Sequence, residues 1–140
     1  MSLDKWAQRI HECARSHGFW PETGRNFGEM IALAHSELSE ALEEHRSDKE
    51  PVYYTAKLDG VDRPVYQMHD RWYYAGTNIP VSRGARLKPE GTATELIDAI
   101  VRELDTLYDI LKDTPYTIDG LMEEKVAFNE QRPHKHGRAY

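Results

Sequence analysis

Apolar residues at Leu3, Trp6, Ala7, Ile10, Cys13 and Ala14 recur every three or four positions, which predicts a first helix from Leu3 to about Arg15. The run "HGFWPETGRN" breaks that period with Gly18, Pro21 and Gly24. A second helical stripe follows from about Asn26 to Arg46, carried by Phe27, Met30, Ile31, Ala34, Leu38, Ala41 and Leu42. A third runs from about Thr92 to Lys112 with a broad apolar face of Leu96, Ile97, Ile100, Val101, Leu104, Leu107, Tyr108 and Leu111. A fourth, from about Ile118 to Glu130, presents Leu121, Met122, Val126 and Phe128. Thr92 and Glu95 read as a capping box at the start of the third helix.

Residues from about 47 to 88 differ in kind. Val52–Ala56, Val65–Met68 and Arg71–Ala75 are β-prone, and Asp59-Gly60 offers a two-residue turn between the first two. Pro64 points to an edge strand or a strand start. Trp72, Tyr73 and Tyr74 read as packing within this small β element, with base contact as the alternative. The expected architecture is therefore mainly α: a single domain spanning 1–140, a four-helix bundle with a small β-hairpin or sheet inserted between its second and third helices. The width of the third helix's apolar face suggests contact with a second subunit.

Charge changes the picture on two helices. On the second, Glu37, Glu40 and Glu44 fall within an arc of about 60°, directly against the apolar stripe, whereas Glu43 points to solvent. On the third, Asp98, Asp105, Asp109 and Arg102 share an arc of about 60° that Glu95 closes. Glu37 with Glu40, and Glu95 with Asp98, are i, i+3 pairs whose side chains are neighbours. Two such pairs facing one another require a cation, and hard oxygen donors suit Mg²⁺ or Mn²⁺. The competing reading is a solvated acidic face with pairs such as Glu43–Arg46, and the periodicity alone leaves both open. A di-iron bundle is excluded, since no histidine has a glutamate three residues before it.

Composition adds bounds. The formal net charge is -6 and the pI about 5.6, which argues against a nucleic-acid partner. Cys13 is the single cysteine, so no intrachain disulfide can form; it reads as a small apolar residue of the first helix. No apolar run approaches the roughly 20 residues of a membrane span, and "MSLDKWAQ" is not a signal peptide. The expectation is a cytoplasmic protein.

Three segments, "HSELSEALEEHR" (35–46), "KPEGTATELIDAIVRELD" (88–105) and "EKVAFNEQRPHKHG" (124–137), make the chain resemble the MazG-like family of all-α nucleoside triphosphate pyrophosphohydrolases, in particular its small phage-type members. They cover just under a third of the chain. The match is an E-x-x-E on one helix, an E-x-x-D on the next, a KPEG lead-in and a K-x-x-x-N-x-x-R-P ending. The insertion at about 47–88 departs from the short loop that separates the two acidic motifs in that family. The resemblance implies hydrolysis of a (deoxy)nucleoside triphosphate to the monophosphate and pyrophosphate. It implies Mg²⁺, with Mn²⁺ as the substitute, on Glu37, Glu40, Glu95 and Asp98. Glu40 or Glu44 would then position or deprotonate the attacking water. It assigns phosphate contacts to Lys125, Asn129 and Arg132, and a base contact to Trp20, with His11 and Asn26 nearby and packing under the loop as the alternative for Trp20. It further implies a homodimer or dimer of dimers. Alternatives are a non-catalytic nucleotide-binding or partner-docking module and, among enzymes, a phosphoribosyl-ATP pyrophosphohydrolase. His134 and His136 form an H-x-H in what reads as a polar tail, with metal binding as the alternative.

Overall fold

The structure is a computed structural model that describes residues 1–133. Its elements are α1 (Leu3–Ser16), α2 (Phe27–Arg46), β1 (Tyr53–Leu58), β2 (Val61–Met68), β3 (Arg71–Tyr74), β4 (Lys88–Glu90), α3 (Thr92–Leu111) and α4 (Ile118–Glu130). The four helices lie within a residue of the expected bounds. The fold class does not. In place of a mainly all-α four-helix bundle carrying a small β-hairpin or sheet, the protein combines helices with a four-stranded antiparallel sheet in the order β3-β2-β1-β4.

The reason is the lead-in to α3. Lys88–Glu90 forms a strand that returns to β1, pairing Tyr53 with Glu90 and Thr55 with Lys88. Such non-local pairing leaves no periodic trace in three residues. The sheet also has a core of its own, with Ala56, Val65 and Tyr74 buried together and Leu58, Trp72, Val81 and Leu87 packed against them. The described residues divide into two compact units, 1–30 with 101–133, and 31–100.

In the first unit, Ala7, Leu104 and Ile118 form the buried cluster, flanked by Leu3, Ile10, Leu107, Tyr108 and Leu111. Two aspartates cap the helix starts reciprocally. Asp119 accepts from the amides of Leu3 (3.1 Å) and Asp4 (3.4 Å), while Asp4 accepts from those of Ile118 (2.8 Å) and Asp119 (3.1 Å). Each carboxylate thus satisfies amides that a helix leaves without internal partners. Cys13 lies in α1 but is exposed.

In the second unit, Asp59-Gly60 makes the expected β1–β2 turn, with φ of 52° and 78°, as a primed hairpin turn requires. Pro64 departs from expectation: it sits inside β2, a central strand. The β2–β3 register ends at Val65 opposite Tyr74, so its missing N–H falls beyond the paired part of β3, while its carbonyl still accepts from Ala75 (2.9 Å). The α3 cap also differs. The first helical bonds run from the amides of Thr94 (2.9 Å) and Glu95 (3.0 Å) to the carbonyl of Gly91, so Gly91, not Thr92, is the cap and Glu95 is released from a capping-box role.

Candidate metal centre and its surroundings

The turn from β4 into α3 builds one half of the site. Gly91 has φ of 105°, and a Cβ there would lie 2.6 Å from the carbonyl oxygen of Pro51 and 2.8 Å from that of Glu50. Only glycine accommodates both the backbone angle and the close approach. The amide of Ala93 donates to the carbonyl of Pro51 (3.0 Å), tying the start of α3 to the segment leading into β1. One turn into α3 stand Glu95 and Asp98; Glu37 comes from α2.

Glu37, Glu95 and Asp98 each offer a carboxylate oxygen within 4.8 Å of the others. Twice a metal–oxygen distance of about 2.1–2.5 Å is about 4–5 Å, so the three oxygens fit the first shell of one hard divalent cation. Glu95 is buried at 7% exposure, Glu37 is half-buried and Asp98 exposed, an arrangement open on one side. Burial raises the pKa of Glu95, and the charges of Asp98, Glu40, Glu90 and Glu37 raise it further. A buried carboxylate among four others is poorly placed without a positive charge beside it.

Glu40, the fourth expected ligand, is not in this close set. It is exposed and lines a cleft of about 300 Å³ together with Ser36, Ser39, Glu44, Glu90, Glu95 and also Glu43, which periodicity turns to solvent. Glu44 is engaged: it pairs with Lys49 (2.8 Å) and accepts from the Tyr53 hydroxyl (3.0 Å). The Lys49 hydrogen bond is the main reason its pKa is held below the ordinary carboxylate value, against a smaller opposing effect of burial. Lys88 pairs with Glu90 at 2.8 Å, and that bond, reinforced by the charges of Glu90, Glu95 and Asp62, raises its pKa. Lys49, Lys88 and Glu90 were not among the expected site residues. The KPEG string carries the last two, but their role follows from strand pairing that the sequence pattern does not reveal.

The residues expected to contact base and phosphates, Trp20, His11, Asn26, Lys125, Asn129 and Arg132, lie in the first unit. Trp20 directs its indole N–H to both carboxylate oxygens of Asp105 (3.1 and 3.0 Å), and its ring packs 4.7 Å from that of His11. His11 is buried and meets Asp105 at 2.8 Å, with Tyr108 at 4.7 Å on ring centroids; Arg25 lies 3.7 Å from Asp105. Trp20 and His11 are thus committed to a partly buried polar cluster around Asp105. Beside it, a cavity of about 470 Å³ is lined by Trp6, Ile10, Cys13, Phe19, Val101 and Arg102, among others. Asn26 serves as the α2 cap, its side chain accepting from the Glu29 amide (3.1 Å). Lys125 and Arg132 both lie over the Phe128 ring, at 5.9 and 5.1 Å, and Asn129 is exposed next to them. In the insertion, Tyr74 is a core residue and Trp72 packs against that core, whereas Tyr73 stacks on Tyr66 at 5.9 Å. His134 and His136 lie outside the described residues.

No helix among the described residues is long and apolar enough to cross a membrane. No protein-family model, curated protein or solved structure matches the chain.

Proposed function

We propose that the protein is a Mg²⁺-dependent nucleoside triphosphate pyrophosphohydrolase of the kind its acidic motifs resemble, acting in the cytoplasm. The observation that carries this reading is the convergence of Glu37 from one helix with Glu95 and Asp98 from another, around a point where Glu95 is buried. These three carboxylates would hold the cation, Mg²⁺ or in its place Mn²⁺, through oxygen donors of the type such ions prefer. When bound, the ion neutralises phosphate charge and lowers the pKa of a coordinated water.

In the reaction, the water oxygen forms a bond to the α-phosphorus, the bond to the α–β bridging oxygen breaks, and pyrophosphate leaves. The water's proton passes to a carboxylate. Glu40 lines the cleft beside Glu95, which supports giving it that role. Glu44 is the weaker candidate, because Lys49 and Tyr53 occupy its oxygens and hold its basicity down. Lys125, Asn129 and Arg132 are assigned to phosphate by the resemblance alone. Ile31, Leu38 and Leu42 on α2, with Leu96, Ile97 and Ile100 on α3, expose between 39% and 56% of their surface. So much exposed apolar surface on two helices supports a homodimer or dimer of dimers.

The test is pyrophosphate release from the eight common ribo- and deoxyribonucleoside triphosphates and from phosphoribosyl-ATP, with Mg²⁺ and with EDTA. Release in Mg²⁺ alone is expected. Glu95→Gln should lower it by at least about 100-fold, the upper end of what loss of an outer-shell partner costs a metal site, while Glu44→Gln retains most of it. Nucleotide binding without pyrophosphate release would refute the enzyme and leave a binding module; a response to phosphoribosyl-ATP alone would redefine the substrate.

A further inference from the structure

The sheet carries a second cleft on its polar face. Alternation along β1 sends Tyr54, Ala56 and Leu58 to the side of the sheet core and Tyr53, Thr55 and Lys57 to the other. Pairing brings Glu90 opposite Tyr53, Pro64 and Lys88 opposite Thr55, and Asp62 opposite Lys57. Between them lies a cleft of about 590 Å³, lined by Lys49, Tyr53, Thr55, Asp62, Pro64 and Glu90, among others. Glu90 lines both this cleft and the acidic one.

Thr55 is only 6% exposed, and among the described residues its Oγ1 is the one buried side-chain polar atom without a hydrogen-bond partner. Neither cross-strand neighbour meets it: Pro64 has no N–H to donate, and the Lys88 ammonium turns to Glu90. Proteins seldom leave a buried hydroxyl unmatched unless water or a ligand meets it. Around it, Asp62 and Glu90 can accept from hydroxyl and amino groups, Thr55 can donate, and the Tyr53 ring gives a flat wall. Lys49 and Lys88, paired with Glu44 and Glu90 of the acidic cleft, supply positive charge at its seam, where a polyphosphate would otherwise meet mostly carboxylates.

We propose that this cleft binds the nucleoside portion, sugar and base, of a nucleoside triphosphate whose phosphates occupy the adjoining acidic cleft. The β insertion is then a specificity element. The inference rests on the metal-dependent reading above, and its test separates the two.

Mn²⁺ binding is titrated first. The affinities of inorganic triphosphate and of the α,β-methylene analogues of the nucleoside triphosphates are then compared in Mg²⁺. The wild-type protein should bind at least one nucleoside analogue more tightly than inorganic triphosphate. Thr55→Val and Asp62→Asn should each weaken that analogue by about tenfold while leaving inorganic triphosphate and Mn²⁺ unchanged, which also shows that the variants are folded. Thr55→Ser should restore the affinity. A Mn²⁺ site with equal affinity for both ligands, or variants that behave as wild type, would overturn this inference alone and leave Thr55 to an ordered water. Absence of a Mn²⁺ site would overturn the metal reading and this one with it.

Discussion

Gly91→Ala tests the link between the sheet and the candidate metal centre. At φ of 105° an L side chain is strained, and its Cβ would sit 2.6 Å from the Pro51 carbonyl oxygen, an atom of a backbone segment held by the Ala93 amide. The backbone strain costs about 1–3 kcal/mol and the forced displacement about 1–3 kcal/mol more, about 2–6 kcal/mol together. For a chain of this size each kcal/mol lowers Tm by roughly 3–5 °C, so a fall of at least about 6 °C is expected in a calorimetric or dichroism melt. The same displacement moves the start of α3, the helix that carries Glu95 and Asp98, so Mn²⁺ affinity should fall in parallel. A Tm within 1 °C of wild type, with unchanged Mn²⁺ affinity, would refute the argument that the strand-to-helix turn positions the carboxylates.

Three further outcomes follow from Glu95 and Asp105. The pKa of Glu95 is raised by burial and by the neighbouring acids, so the folded state holds its proton more tightly than the unfolded one. Metal-free protein should therefore lose stability as pH rises from the ordinary glutamate value through the raised one, and Glu95→Gln should abolish that slope and raise the metal-free Tm; a slope that persists in the variant would refute the assignment. Saturating Mn²⁺ should raise the Tm of the wild-type protein at pH 7 and not that of Glu95→Gln. Asp105→Ala removes the carboxylate shared by His11, Trp20 and Arg25 and should cost about 3–5 kcal/mol in urea unfolding, with a shifted Trp emission; a cost under about 1 kcal/mol would mean the cluster contributes little.

Local chemistry settled a large share of this protein. Apolar spacing near 3.6 residues located four helices, although much of the stripe on α2, α3 and α4 stays exposed in the single chain. Asp59-Gly60 set the first hairpin because that turn needs two residues tolerant of positive φ. The i, i+3 spacing of Glu37 with Glu40, and of Glu95 with Asp98, placed acid on particular helix edges before any tertiary contact was known. Tertiary structure decided the rest. Non-local pairing of Lys88–Glu90 with β1 added the fourth strand of the sheet, and that pairing set Glu90, held by Lys88, at the acidic cleft. His69-Asp70, the second hairpin turn, lacks the glycine that marks the first. Tertiary geometry separated residues that periodicity treats alike: it brought Glu37, Glu95 and Asp98 into a close set that leaves Glu40 outside, drew Glu44 away to Lys49 and Tyr53, and gave Trp20 to Asp105. A side chain's direction is written in its own neighbourhood of the chain, but its partners are set by residues tens of positions away that the fold brings to it.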